Sequence, residues 1–244
     1  MAGLFQKTMN ITHRLLELDK TLHLHNEGEW GNTTLNYSAF NDAGVECEVG
    51  EFLYSLVRVL KPKRVLETGT HKGIGASYMG VGLLDNGFGE LDTIEFLPEI
   101  HAEAHQRIKT MGLETIVHCN LIDAANFKPP TDIRGSDWSD GDYVKKKMGI
   151  YQLILLDTEP QTRFAELLKF YPYLQGGGFL FIHDLHRHMH QIANNDHGFA
   201  WPFGKIPEAI AKLVKTGEIR PFHLPTPRGL TGFYKASEDD YDWG

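Results

Sequence analysis

Residues 65–80 read VLETGTHKGIGASYMG: an apolar run that ends on an acid, Glu67, and turns through glycines at positions 69, 73 and 75. Glycine-rich turns after a strand often cradle phosphate at a helix N-terminus. A dinucleotide fingerprint would read G-x-G-x-x-G, and a phosphate loop would close on G-K-S or G-K-T. Here the spacing is E-x-G-x-x-x-G, and the one lysine, Lys72, precedes its glycine. Both phosphate readings lose ground. What remains is a strand-end acid followed by a turn whose glycines let a ligand approach the backbone closely.

Outward from this stretch, short apolar runs alternate with helix-like segments. RVLETG, LDTIEF, ETIVHC, YQLILLD and GGFLFIHD read as strands, and PEIHAEAHQRIKTMG and PQTRFAELLKFYPYL as helices between them. Such alternation needs crossover connections, and so predicts an α/β fold: one doubly wound, Rossmann-like domain with a mostly parallel sheet. EIRPFHL and LTGFYKA are separated only by PTPRG, which suits an antiparallel hairpin at the C-terminal edge of the sheet. Upstream, EVGEFLYSLVRVL has helical spacing and is closed by Pro62. Apolar positions from Leu4 to Leu18 follow a helical stripe roughly, and Asn26 to Asn41 is polar and loop-like. The expected organisation is an N-terminal helix and flap over 1–43, the sheet domain over 44–237 and an acidic tail over 238–244. The polar segment between Asp123 and Gly149 is longer than most loops, and reads as a lid or an ornament.

The chain has 244 residues and is 41% hydrophobic, enough for one well-packed domain. Two cysteines, Cys47 and Cys119, match neither a disulfide framework nor a paired zinc knuckle, and fit a reducing compartment. No apolar stretch is long enough to span a bilayer, and charged residues stand where a signal peptide would carry its apolar core, so a cytoplasmic location is expected. A net charge of −8 disfavours nucleic acid, and a small molecule is the expected partner. A homo-oligomer is left open.

A carboxylate at the turn opposes phosphate and favours a cationic ligand. S-adenosylmethionine carries both an ammonium and a sulfonium. The next strand ends in LDTIEF, which puts Glu95 where a carboxylate accepts hydrogen bonds from ribose hydroxyls. With LETGTHKGIG, TIEF, YQLILLD and GGGFLFIHD, the chain resembles the class I S-adenosylmethionine-dependent methyltransferases over about residues 44–235. The likeness is greatest to the small-molecule O-methyltransferases related to catechol O-methyltransferase. The resemblance implies that Glu67, Gly69, Thr70 and Gly73 surround the methionyl end, that Glu95 binds ribose, and that the turn from Asn120 to Asp123 lies against adenine. It implies further contacts near Val45 and Gly50.

The acceptor belongs beyond the strands ending at Asp157 and Asp184. Adjacent strands lie about 4.8 Å apart, so two terminal acids can converge on Mg2+ or another divalent cation that lowers the pKa of a hydroxyl. In the resembling family an acid follows the fourth strand, and an acid and an asparagine follow the fifth. Here the third position is Leu185, which cannot ligate, leaving Glu159, His183 or His186 as replacements. HDLHRHMH lacks a recognised zinc spacing, and a histidine there, His183 or His186, is instead a candidate general base. The expected activity is methyl transfer from S-adenosylmethionine to a hydroxyl of a small molecule. The alternatives are a nicotinamide-dependent oxidoreductase and a cofactor-binding subunit without turnover.

Overall fold

The structure, a computed structural model, describes residues 10–27, 37–40, 44–130, 149–159, 161–185 and 208–237. The RVLET run forms β3 (Arg64–Thr68), and its alternation divides the core: Val65 joins one apolar cluster and Leu66 the other, on opposite faces of the sheet. Parallel partners flank it, β4 (Glu90–Glu95) on one side and β6 (Tyr151–Leu156) on the other. Beyond β4 lies β5 (Val117–Leu121), and beyond β6 lies β7 (Leu174–His183), both parallel. The C-terminal hairpin of β8 (Ile219–Leu224) and β9 (Leu230–Lys235) adds antiparallel through β9, giving the order β5-β4-β3-β6-β7-β9-β8. The strand order reverses between β3 and β6, and ligands of open α/β sheets bind at such a switch point.

One face is covered by α2 (Cys47–Leu60) and α3 (Ile74–Asn86), with α1 (Ile11–Leu18) outside them. Crossovers are made by α3, by α4 (Pro98–Thr110) and by α5 (Arg163–Phe170), and α6 (Glu208–Lys215) precedes β8. In α4, Pro98 occupies the first turn, with Glu99 near the start and Arg107 and Lys109 at the end, an arrangement that suits the helix dipole. All residues of α3 from Ile74 to Leu83 are buried, because α1, α2, α4 and β4 surround it.

The α2–α3 contact depends on a missing side chain. A Cβ on Gly50 would lie 2.3 Å from the Tyr78 ring. Gly50→Ala should therefore destabilise the fold by about 1–3 kcal/mol, the usual cost of overpacking, measured as a shift in the urea midpoint without a change of slope. An unchanged midpoint would show that the two helices have room to part.

One expectation needs correction. The stretch from Asn26 to Asn41 is not wholly loop: β1 (Leu24–Glu27) and β2 (Tyr37–Phe40) pair antiparallel, with Leu24 opposite Phe40 and Glu27 opposite Tyr37. Burial of Tyr37, Ala39 and Phe40 drives this short pairing. No helix among the described residues is long and apolar enough to cross a membrane.

Candidate active site

The turn after β3 sits at the switch point. The amides of Gly69 and Thr70 both donate to the Ile94 carbonyl, at 2.9 and 3.0 Å, and tie the turn to the end of β4. Gly69 has φ +78°, and a Cβ there would lie 2.3 Å from the Asp157 carbonyl oxygen, so the backbones of the β3 and β6 ends touch. Gly73 precedes α3 and donates to the Thr70 carbonyl at 2.8 Å. The side chains of Glu67 and Thr70 lie beneath the turn. Thr93 donates to Glu67 Oε2 at 2.5 Å and stands 2.5 Å from the Thr70 hydroxyl. Glu67 is fully buried; burial, with Asp157 and Glu95 nearby, pushes its pKa up to about 8 against the Thr93 hydrogen bond.

Glu95 ends β4 with both oxygens held by backbone. Oε1 accepts from the amides of Phe96 and Leu97, and Oε2 from the amide of His71 at 2.9 Å. A carboxylate oxygen has two lone pairs, so this fixes Glu95 and leaves it capacity for further donors. Phe96, Leu97 and Leu121 are large apolar side chains left exposed beside it, at the ends of β4 and β5. His71 takes the left-handed conformation at φ +46°, and its buried Nδ1 has no hydrogen-bond partner among the described residues. Burial, helped by Lys72, lowers its pKa and keeps the ring neutral. Asn120 is turned back onto the sheet and donates to the carbonyls of His118 and Thr93. Asp123 is exposed and caps its own turn through the Ala125 amide. Val45 belongs to the apolar core, and Gly50 faces Tyr78 rather than the glycine turn.

At the ends of β6 and β7 the two strand-end acids converge, as expected, but in company the sequence pattern did not reveal. Arg163, at the start of α5 and 3% exposed, points its Nη2 between Asp157 Oδ1 at 3.3 Å and Asp184 Oδ2 at 3.2 Å. Its Nε donates to the Thr158 carbonyl and its Nη1 to that of His183. Arg228, from the β8–β9 turn, donates through Nη2 to Asp184 Oδ2 at 2.8 Å and sets Nε 2.7 Å from Oδ1. It also reaches the Gly44 carbonyl, and its amide donates to Glu46 Oε1. His183 has no exposed surface: Nδ1 lies 2.9 Å from Asp157 Oδ1 and Nε2 lies 2.5 Å from Glu46 Oε2. Burial opposes its charge, but Asp157, Asp184 and Glu46 outweigh that cost and push its pKa up to about 10. Against the burial of both carboxyls, His183, Arg228 and Arg163 hold Asp184 down at about 2, and His183 and Arg228 lower Glu46.

Ligand atoms of Asp157, His183 and Asp184 lie within 4.8 Å of one another, close enough to share a divalent cation. The donor set does not fit one. Both ring nitrogens of His183 face carboxylates, and three carboxylates are already matched by two guanidiniums and one imidazolium. Leu185 packs among apolar residues, and Glu159 is exposed and outside the cluster. His186 lies outside the described residues.

Glu46, Arg163 and Arg228 were missed from sequence. The one available signal was that two buried strand-end acids need countercharges, but nothing local names which cations supply them.

No protein-family model and no curated protein sequence matches the chain. Solved structures do match it in fold. A putative O-methyltransferase from Klebsiella pneumoniae superposes with a TM-score of 0.62 at 17% identity, covering 96% of this chain and 93% of that one. The SAH-bound methyltransferase from Podospora anserina gives 0.59 at 18%, over 97% and 99%. The O-methyltransferase of tomaymycin synthesis from Streptomyces achromogenes, in complex with SAM, gives 0.59 at 19%, over 81% and 83%. The chain has the Rossmann-like fold of these class I methyltransferase structures, and the resemblance read from LETGTHKGIG and TIEF holds at the level of fold.

Proposed function

We propose that the protein transfers a methyl group from S-adenosylmethionine to a hydroxyl of a small molecule. One observation carries the reading: a strand-end carboxylate pre-set by three backbone amides, flanked by exposed apolar side chains, beside a glycine turn that touches a second set of strand-end acids. The residues present fit the cofactor. Glu95 would accept from the ribose hydroxyls, Phe96 and Leu121 would flank the adenine ring, and the backbone from Gly69 to Gly73 would line the methionyl end. When bound, S-adenosylmethionine supplies an electrophilic methyl on a sulfonium.

The chain's own part is alignment and proton handling. Asp157 Oδ1 is held by His183 and Arg163, whereas Oδ2 makes no hydrogen bond among the described residues. In this reading the acceptor hydroxyl donates to Oδ2. On transfer of the methyl, Asp157 Oδ2 would take the proton of the acceptor hydroxyl and release it to water. His183, protonated and engaged at both nitrogens, is a fixed positive charge here and not the general base expected from its strand-end position.

Titration with S-adenosylhomocysteine tests the cofactor. At a hundredfold excess over its dissociation constant the fold should gain about 2.7 kcal/mol, read as a rise in melting temperature. Glu95→Ala should remove most of that rise, because the ribose hydroxyls lose their acceptor. A rise with NADH and none with S-adenosylhomocysteine would overturn the reading in favour of an oxidoreductase.

A further inference from the structure

We infer that the Arg163 guanidinium stands where a shared divalent cation would stand, between Asp157 and Asp184, with Arg228 closing the far side of Asp184, so that the acceptor end works without a metal. The functional half of this statement rests on the proposed methyl transfer; the occupancy of the position does not. The geometry is that of a bridging cation. One nitrogen of Arg163 serves both acids, the side chain is buried, and Nε and Nη1 donate to the Thr158 and His183 carbonyls, so every nitrogen of the guanidinium is held. A guanidinium does not deprotonate in proteins and cannot make way by losing charge. Arg228 meets Asp184 through two nitrogens and is anchored at Gly44, which lashes the β8–β9 turn to the entrance of α2. Glu46 reaches the same cluster from the start of α2 and bonds the outer nitrogen of His183. A divalent ion placed among these groups would meet carboxylates whose charge is already balanced, and would stand beside Arg163.

The cluster also replaces what the ion would do for geometry. A metal would draw the two acids together and orient them; here a planar, five-donor fork does so with fixed directions. The oxygen it leaves open, Asp157 Oδ2, is the one that the acceptor hydroxyl meets in the proposed reaction.

The experiment uses full-length protein labelled with 15N in arginine and histidine, freed of metal by chelation and titrated with Mn2+ and, separately, Mg2+. The expected spectrum shows His183 carrying protons on both ring nitrogens and an Arg163 Nε–H protected from exchange, with neither signal shifted by millimolar Mg2+ nor selectively broadened by Mn2+. Manganese that binds but broadens only other resonances lies elsewhere and leaves the assignment standing. Stoichiometric Mn2+ binding that erases the His183 and Arg163 signals, and that Asp157→Asn abolishes, would overturn it. The outcome is independent of the S-adenosylhomocysteine titration, so the failure of either reading is seen separately.

Discussion

Arg163→Met should cost the fold about 3–5 kcal/mol, the range for removing one partner of a buried ion pair and leaving its countercharges uncompensated. Methionine fills the volume of the aliphatic stem, so the loss is one of charge and hydrogen bonds more than of packing. Asp157 and Asp184 lose the cation between them, and the Thr158 and His183 carbonyls lose their donors. Asp184 retains Arg228, which keeps the expected cost short of complete unfolding. Urea unfolding at neutral pH reads the difference. The sign of its pH dependence is also set: Asp184 has a folded pKa of about 2 against an ordinary 3.8. A depressed acid contributes stability that is present above its unfolded pKa and lost as pH falls through the folded one. With its countercharge reduced, the variant has less of that contribution to lose, and the gap between the two proteins should narrow in acid. A loss below about 1 kcal/mol would mean that the pair behaves as an exposed surface bridge, in conflict with its burial.

The second large effect is alkaline. His183 has a folded pKa of about 10 against an ordinary 6.5, so the folded state holds its proton more tightly than the unfolded chain does. That stability is fully present below pH 6.5 and is lost as pH rises through 10, a span worth on the order of 5 kcal/mol. Glu67 acts in the same direction for a different reason. Burial raises its pKa from 4.5 to about 8, so the unfolded chain ionises first and gains on the folded state across that interval. Both groups make the protein less stable with rising pH. Urea unfolding at a series of pH values from about 5 to 10 should show a continuous decline. His183→Gln should flatten the upper part of the curve, and Glu67→Gln the lower part. A wild-type curve that stays level across this range would contradict both assignments. Binding of a cation near the glycine turn should ease the ionisation of Glu67, so the decline should be shallower with saturating S-adenosylmethionine.

How much of this was legible in the chain follows from the range of the interactions. Strand and helix periods repeat over two and about four residues, so RVLET, ELDTIE, YQLILL and the helices after them declare themselves locally, and with them the parallel sheet and the antiparallel edge. The E-x-G-x-x-x-G turn is equally local: the left-handed conformation at Gly69 and Gly73 is a property of single residues. The strand-end positions of Glu95, Asp157 and Asp184 follow from the pattern because a strand's last residue must emerge at the sheet's edge.

The partners of those acids do not follow. Glu46 and Arg228 are 182 positions apart and meet only because α2 and the β8–β9 turn are packed over the ends of β6 and β7. Whether Asp157 and Asp184 share a metal or a guanidinium is a question of which charge is nearest in space, and Coulomb interaction at a few ångströms in a buried site outweighs any preference written in the motif. The same holds for His183. Its sequence position makes it a candidate base, and only the two carboxylates on its ring nitrogens turn it into a fixed cation. The β1–β2 pairing belongs to this second kind too: four residues a side are too few for a strand period to stand out from the polar stretch around them, and the burial of Tyr37, Ala39 and Phe40 against the body of the protein is what makes pairing favourable. Sequence alone determined the sheet, the glycine turn at its strand ends and the acids beside it; tertiary structure decided their countercharges, because charge compensation in a buried site is set by distance through space and not by spacing along the chain.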